Sequence, residues 1–131
     1  MCRVAVIDDD PGFIDLACEL LEDRGWNVVP CVEAELAVTC VEQARPDVVL
    51  LDVRMDRGYS GWDILDALRT TPATSAIPII VCSAASDELR THETWLDEQR
   101  VTVLSKPFDI DELYERVEVA LASTADRGAE R

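Results

Sequence analysis

The chain has 131 residues, with 12 Lys+Arg against 27 Asp+Glu, a formal net charge of −15. That length suits one domain, and 48% hydrophobic residues supply one core, which argues against wholesale disorder. The acidity argues against direct nucleic-acid binding and against docking on an anionic membrane, since both need a basic face.

Val4–Ile7 is the first short apolar run, and it leads into Asp8, Asp9 and Asp10. Phe13, Leu16, Ala17, Leu20 and Leu21 then follow a helical spacing. Asp10 suits its cap, Pro11 its first position and Gly25 its stop. A second strand runs from Trp26 to Val32, and Pro30 within it marks an edge or a strand end. Ala37, Cys40, Val41 and Ala44 give a second helical stripe, closed by Pro46. Val48–Leu51 is the third strand, followed by Asp52. Ser60 is placed to cap a third helix with the stripe Gly61, Ile64, Leu65 and Leu68. Ile79–Cys82 is the fourth strand, followed by Ser83, Ala84 and Ala85. The fourth helix, about Asp87 to Glu98, has a thin apolar face of Leu89, His92, Trp95 and Leu96. Val101–Leu104 is the fifth strand, followed by Lys106 and Pro107. Asp109 and Glu112, in capping-box spacing, open a fifth helix with the stripe Ile110, Leu113, Tyr114, Val117 and Leu121. Periodicity ends at Ser123, so residues 123–131 read as a tail or the start of a linker behind a domain over 1–122.

Five cysteines, at positions 2, 18, 31, 40 and 82, form no C-x-x-C pair and lie mostly in apolar stretches. They read as reduced core thiols of a cytoplasmic protein rather than as disulfides or zinc ligands. No apolar run approaches the ~20 residues of a membrane span, and the N-terminal run is too short for a signal peptide.

Continuous Val/Ile/Leu strands alternating with helices predict a doubly wound α/β sandwich around a parallel sheet. Ligands in such folds sit beyond the carboxyl ends of the strands. Asp8, Asp9, Asp52, Ser83 and Lys106 all fall on that rim. Carboxylates a few ångströms apart repel by about 1 kcal/mol in water and about 4 at an effective dielectric of 20. Lys106 offsets part of that charge, and a divalent cation offsets the rest. An all-oxygen donor set without His or Cys favours Mg²⁺. The Ser83 hydroxyl and the Lys106 ammonium suit phosphoryl oxygens, and one carboxylate can attack phosphorus.

Four segments, Val6 to Pro11, Val48 to Asp52, Ile80 to Ala84 and Lys106 to Phe108, together resemble the receiver domain of two-component response regulators, over about residues 3–122. The resemblance implies a (βα)5 sandwich with strands in the flavodoxin-like order 2-1-3-4-5. It implies Asp52 as phosphoacceptor. Asp8, Asp9, Asp52 and the backbone carbonyl of Arg54 would hold Mg²⁺, and Ser83 and Lys106 would contact the phosphoryl group. It also implies a histidine kinase or histidine phosphotransfer domain as donor, catalysis of the transfer and of slow self-hydrolysis, and a downstream protein partner. The fourth helix, fifth strand and fifth helix are the family's usual dimer face. Arg90, Asp97, Glu98 and Arg100 put both signs of charge there, compatible with a homodimer.

Three features depart from the family pattern. Asp56 stands where Pro is usual and Gly61 comes one residue late, which lengthens the loop after Asp52. That loop is either a neutral insertion or places Arg54 over the phosphoryl site. Val103 replaces the usual aromatic of the fifth strand, which removes one part of the usual switch. The tail is too short for an output domain, so the chain is either a stand-alone receiver or a piece of a longer protein.

Other residues carry plainer readings. His92, the single histidine, reads as a solvated or half-buried helix residue, and Cys82 as core packing rather than a redox sensor. Trp62 reads as core or hinge packing near the rim. Phe13 and Ile14 read as core, with contact to a kinase as the alternative. Two other functions stand beside the phosphorylatable receiver. One is a pseudo-receiver that binds partners without phosphate. The other is a Mg²⁺-dependent phosphatase of the haloacid-dehalogenase type with Asp8 as nucleophile, disfavoured because Lys106-Pro107 follows the fifth strand where a later acidic pair is needed.

Overall fold

A computed structural model describes residues 2–53, 61–83, 90–98, 101–106 and 108–129, without the side chains of 34, 97 and 123–129. Arg54, Asp56, Ser60, Ala84, Ala85, Asp87, Leu89, Arg100 and Pro107 lie outside the described residues.

Strands β1 (Arg3–Ile7), β2 (Asn27–Cys31), β3 (Val48–Leu51), β4 (Ile79–Ser83) and β5 (Thr102–Ser105) form one sheet in the order β2-β1-β3-β4-β5. Every pairing is parallel. Helices α1 (Pro11–Asp23), α2 (Ala37–Ala44), α3 (Gly61–Thr70), α4 (Glu93–Glu98) and α5 (Ile110–Ala129) connect or follow them, and a 3₁₀ turn (Ala34–Leu36) leads into α2. The expected doubly wound sandwich is the observed one.

Alternation along each strand divides the core in two. Ala5, Ile7, Val49, Leu51, Ile79 and Val81 face one layer, where Val41 of α2, Leu65 and Leu68 of α3 and Leu96 of α4 cover them. Val4, Val6, Val48, Leu50, Ile80 and Cys82 face the other, under Ile14, Ala17 and Leu21 of α1 and Leu113 and Val117 of α5. All four residues of β3 are buried, as a central strand covered on both faces requires. Pro30 sits in β2, an edge strand bonded only to β1, where a missing N–H costs least.

Helix α1 begins as its sequence predicts. The Asp10 carboxylate accepts the Gly12 N–H at 3.0 Å and Pro11 opens the first turn. It ends where Gly25 takes φ +86° and gives its N–H to Glu22 O, a conformation that suits glycine. The buried stripe is turned from the expected one. Ile14, Ala17 and Leu21 face the sheet, whereas Leu16 is 52% exposed. With apolar residues on adjacent helical rows, periodicity alone could not say which row the sheet would cover. Ile110 of α5 is likewise exposed, and Ala120 joins Leu113 and Val117 inside.

Two further expectations change. Cys31 and Cys40 are joined as a disulfide rather than held as reduced thiols, while Cys2, Cys18 and Cys82 are free. Cys31 ends β2, and Cys40 lies on the α2 stripe that folds back over the same layer, so the β2–α2 crossover brings the two sulfurs together. The fifth helix also continues past Ser123 to Ala129. Apolar periodicity reports where a helix is buried, and a helix can run on without it. Among the described residues no helix is long and apolar enough to cross a membrane.

Candidate functional site

The carboxyl ends of β1, β3, β4 and β5 open on one rim, and backbone hydrogen bonds between strand ends hold its residues in register. Asp8 N–H reaches Cys31 O at 3.4 Å, Asp52 N–H reaches Ile7 O at 3.0 Å, and Lys106 N–H reaches Ser83 O at 2.9 Å. Lys106 Nζ lies 3.3 Å from Asp52 Oδ2 and 3.4 Å from Asp8 Oδ2. Asp8 Oδ1 accepts the Asp10 N–H at 2.9 Å, which ties the pocket to the cap of α1. Three residues that the sequence placed on the rim, Asp8, Asp52 and Lys106, therefore meet at one ammonium. Ser83 ends β4, 1% exposed, with its carbonyl on Lys106. Asp9 is half-buried next in the chain to Asp8. Arg54 and the loop through Ser60 lie outside the described residues.

The side chains differ in access. Asp8 is 1% exposed, Asp52 12% and Lys106 23%. Burial pushes the Asp8 carboxyl up to about 6, and the Asp52 charge adds to the rise, while the Asp10 N–H and Lys106 pull against it. Burial alone would lower the Lys106 ammonium, but Asp52 and Asp8 outweigh it and hold Lys106 above its usual value. The pocket thus carries a charged ammonium against two carboxylates, one of them reluctant to ionise. Burial also pushes the Cys82 thiol up to about 12, which suits the core role read from its strand.

Among the described residues, no three His, Cys, Asp or Glu side chains are gathered as a ready ligand set. Mg²⁺ does not require one. It keeps several waters and is commonly held by one or two carboxylates together with phosphate oxygens. Asp8 and Asp52, both turned onto one point already occupied by a cation, have the donor chemistry for it.

Two arrangements at or near the rim were not legible in the sequence. Lys106 Nζ sits 3.9 Å from the centroid of the Phe13 ring, and Phe108 meets that ring edge-on with centroids 6.4 Å apart. The position of Phe13, in the first turn after the acids, was the only available signal. Behind Gly61, Trp62 stacks on His92 at 3.9 Å between centroids, and Trp95 meets both edge-on. Trp62 and Trp95 pack against the same core layer as Val103. Aromatic mass absent from β5 is therefore present on α3, as Trp62, and on α4, as Trp95.

A family model described as the response regulator receiver domain matches residues 4–118. The chain is 32% identical over 128 residues to the DNA-binding response regulator MtrA of Mycolicibacterium smegmatis, across 98% of this chain and 54% of that protein. It is 30% identical over 127 residues to the DNA-binding dual master transcriptional regulator RpaA of Synechocystis sp., across 95% of this chain and 51% of that one. The chain spans about half the length of these curated relatives. Among solved structures, the chemotaxis protein CheY4 of Vibrio cholerae matches with a TM-score of 0.80 at 24% identity, over 92% of this chain and 99% of that chain. A CheY-like receiver domain protein of Methanospirillum hungatei matches at 0.84 and 19%, over 97% and 98%. These two likenesses concern the fold.

Proposed function

The chain belongs to the response regulator receiver family of two-component systems, and from that premise we propose that it is a switch phosphorylated on Asp52. The observation that carries this reading is the Lys106 ammonium held at 3.3 and 3.4 Å between Asp52 and Asp8 at the ends of three parallel strands. An Asp52 oxygen attacks the phosphorus of a phosphohistidine on a histidine kinase or histidine phosphotransfer domain. The new O–P bond forms as the P–N bond breaks, and the leaving imidazole takes up a proton. Asp52 is more open to an incoming group than Asp8, which also disfavours a phosphatase that would use Asp8 as nucleophile.

Transfer of this kind is governed by in-line positioning and charge neutralisation. Lys106 is placed to move from the two carboxylates to a phosphoryl oxygen, and Ser83 lies beside it on β4. Asp8, Asp9, Asp52 and the Arg54 carbonyl are the residues that would hold Mg²⁺. That ion would supply charge neutralisation between the carboxylates and the phosphoryl oxygens. Slow self-hydrolysis returns Asp52 to its carboxylate. Residues 1–122 act as the receiver, and 123–131, helical as far as Ala129, form a tail or linker. A downstream protein reads the switched surface, through pairing of copies where a dimer forms. A net charge of −15 keeps this domain itself off DNA, although the relatives above are named DNA-binding regulators.

Incubation with acetyl phosphate and Mg²⁺, followed by intact mass, tests the proposal. One added phosphoryl group, lost in Asp52→Asn, supports it. Labelling at Asp8 supports the phosphatase reading, and no labelling from any phosphodonor supports the pseudo-receiver.

A further inference from the structure

Lys106 is anchored at its backbone and loose along its stem. Its N–H is fixed to Ser83 O at 2.9 Å, but four methylenes separate that anchor from the ammonium, and such a stem has considerable rotamer freedom. Two carboxylates hold the ammonium by charge, and both contacts must loosen when a phosphoryl group arrives on Asp52. A third neighbour of the ammonium is the Phe13 ring, 3.9 Å from Nζ to centroid, within cation–π range. The ring is itself held. Phe13 lies in the first turn of α1, set by the Asp10 cap and Pro11, and Phe108 meets it at 88°.

We propose that Phe13 is a positioning residue for Lys106, a pivot on which the ammonium turns from the Asp8 and Asp52 carboxylates to a phosphoryl oxygen. A ring face attracts positive charge without accepting a directed N–H bond from a particular proton. All three ammonium protons thus stay available to pass from the carboxylates to the incoming oxygen. An aliphatic side chain at position 13 would fill the space but would not hold the charge, and the ammonium would spend less time facing the acceptor.

This inference rests on the phosphotransfer reading, and its test separates the two. Phe13 is replaced by 4-fluoro-, 3,5-difluoro- and 3,4,5-trifluorophenylalanine, which keep the shape while draining charge from the ring face. The rate of Asp52 phosphorylation from acetyl phosphate with Mg²⁺ is expected to fall stepwise along the series, by about 3- to 30-fold at its end. Phe13→Leu should match the trifluoro protein and Phe13→Tyr should restore most of the rate. Thermal stability across the fluorinated series should stay level, as packing alone would dictate. Independently of any phosphodonor, the Lys106 ε-methylene protons should carry an upfield ring-current shift that disappears in Phe13→Leu. A flat rate series with normal labelling of the parent overturns the pivot and leaves the switch standing. Absence of the ring-current shift overturns the pivot too, and failure of the parent to accept phosphate overturns both.

Discussion

Gly61 lies so close to the chain at Val53 that a Cβ added to it would stand 2.7 Å from the carbonyl carbon of Val53 and 2.7 Å from Asp52 O. The Gly61 N–H also reaches Val53 O at 3.2 Å. The first turn of α3 is therefore seated on the backbone that carries Asp52, and the contact is steric rather than conformational. Gly61→Ala must push this backbone aside, at a cost of about 1–3 kcal/mol for overpacking. Stability should fall by that amount in urea titration. Phosphorylation of Asp52 should slow more than it does in a surface variant of equal stability loss, because the displaced atoms belong to the acceptor itself. A Gly61→Ala protein that labels at the parent rate would show that α3 does not set the position of Asp52.

Asp8 gives a pH prediction with a definite sign. Its carboxyl is raised from 3.8 to about 6 in the folded protein. A raised carboxyl stabilises the fold below its unfolded value and loses that contribution as pH climbs through the folded one. Metal-free protein should therefore lose stability between about pH 4 and pH 6 through this group. Asp8→Asn, which cannot ionise, should gain on the parent across the same window, reaching about 1–3 kcal/mol at pH 7.5 and almost nothing at pH 4. Denaturant titrations in a chelating buffer at the two pH values measure the difference. A gap of equal size at both would mean that packing, not charge, separates the variants.

The strands were legible because burial on two faces leaves its mark in composition. Val48–Leu51 admits no polar residue, and the acids at Asp8 and Asp52 punctuate the ends of such runs. Helix α3 was legible for a related reason. Its stripe Gly61, Ile64, Leu65 and Leu68 alternates with Asp63 and Asp66, which turn outward, while Trp62 packs at the edge of the same buried layer. Helix α1 carries apolar residues on adjoining rows, and the choice between Ile14 and Leu16 is made by the sheet beneath it. The same limit applies to the site. Strand ends predict which residues share a rim, but not that Phe13 from α1 will cover Lys106 from the far end of the chain, nor that Cys31 will find Cys40. Those contacts depend on how crossovers settle, which no local pattern records.

Lys106 competes with any cation for the same two oxygens, Asp8 Oδ2 and Asp52 Oδ2. Removing its charge should therefore tighten metal binding while harming transfer. At separations near 4 Å a unit charge acts with about 1–4 kcal/mol, depending on the effective dielectric. Lys106→Gln is expected to bind Mg²⁺ about tenfold more tightly and to accept phosphate from acetyl phosphate at least about tenfold more slowly. Calorimetric titration with Mg²⁺ and a labelling time course read the two effects. Weaker binding in the variant would mean that Lys106 orients the carboxylates for the ion rather than contesting them.

The Cys31–Cys40 bond joins the end of β2 to α2 across a sequence separation of 9. Cross-linking so short a loop stabilises a fold by about 2–3 kcal/mol, chiefly by restricting the unfolded chain. Dithiothreitol should lower the unfolding midpoint of the parent accordingly and leave a Cys31→Ser, Cys40→Ser variant unmoved, since Cys2, Cys18 and Cys82 carry no bond to break. The effect should also reach the acidic pocket. Cys31 O accepts the Asp8 N–H at 3.4 Å, so loosening β2 at its last residue releases the backbone behind the buried carboxylate. Mg²⁺ affinity should weaken a few-fold on reduction, in the parent only. A midpoint that ignores the reductant would remove the tether, and an unchanged Mg²⁺ affinity beside a lowered midpoint would confine it to stability.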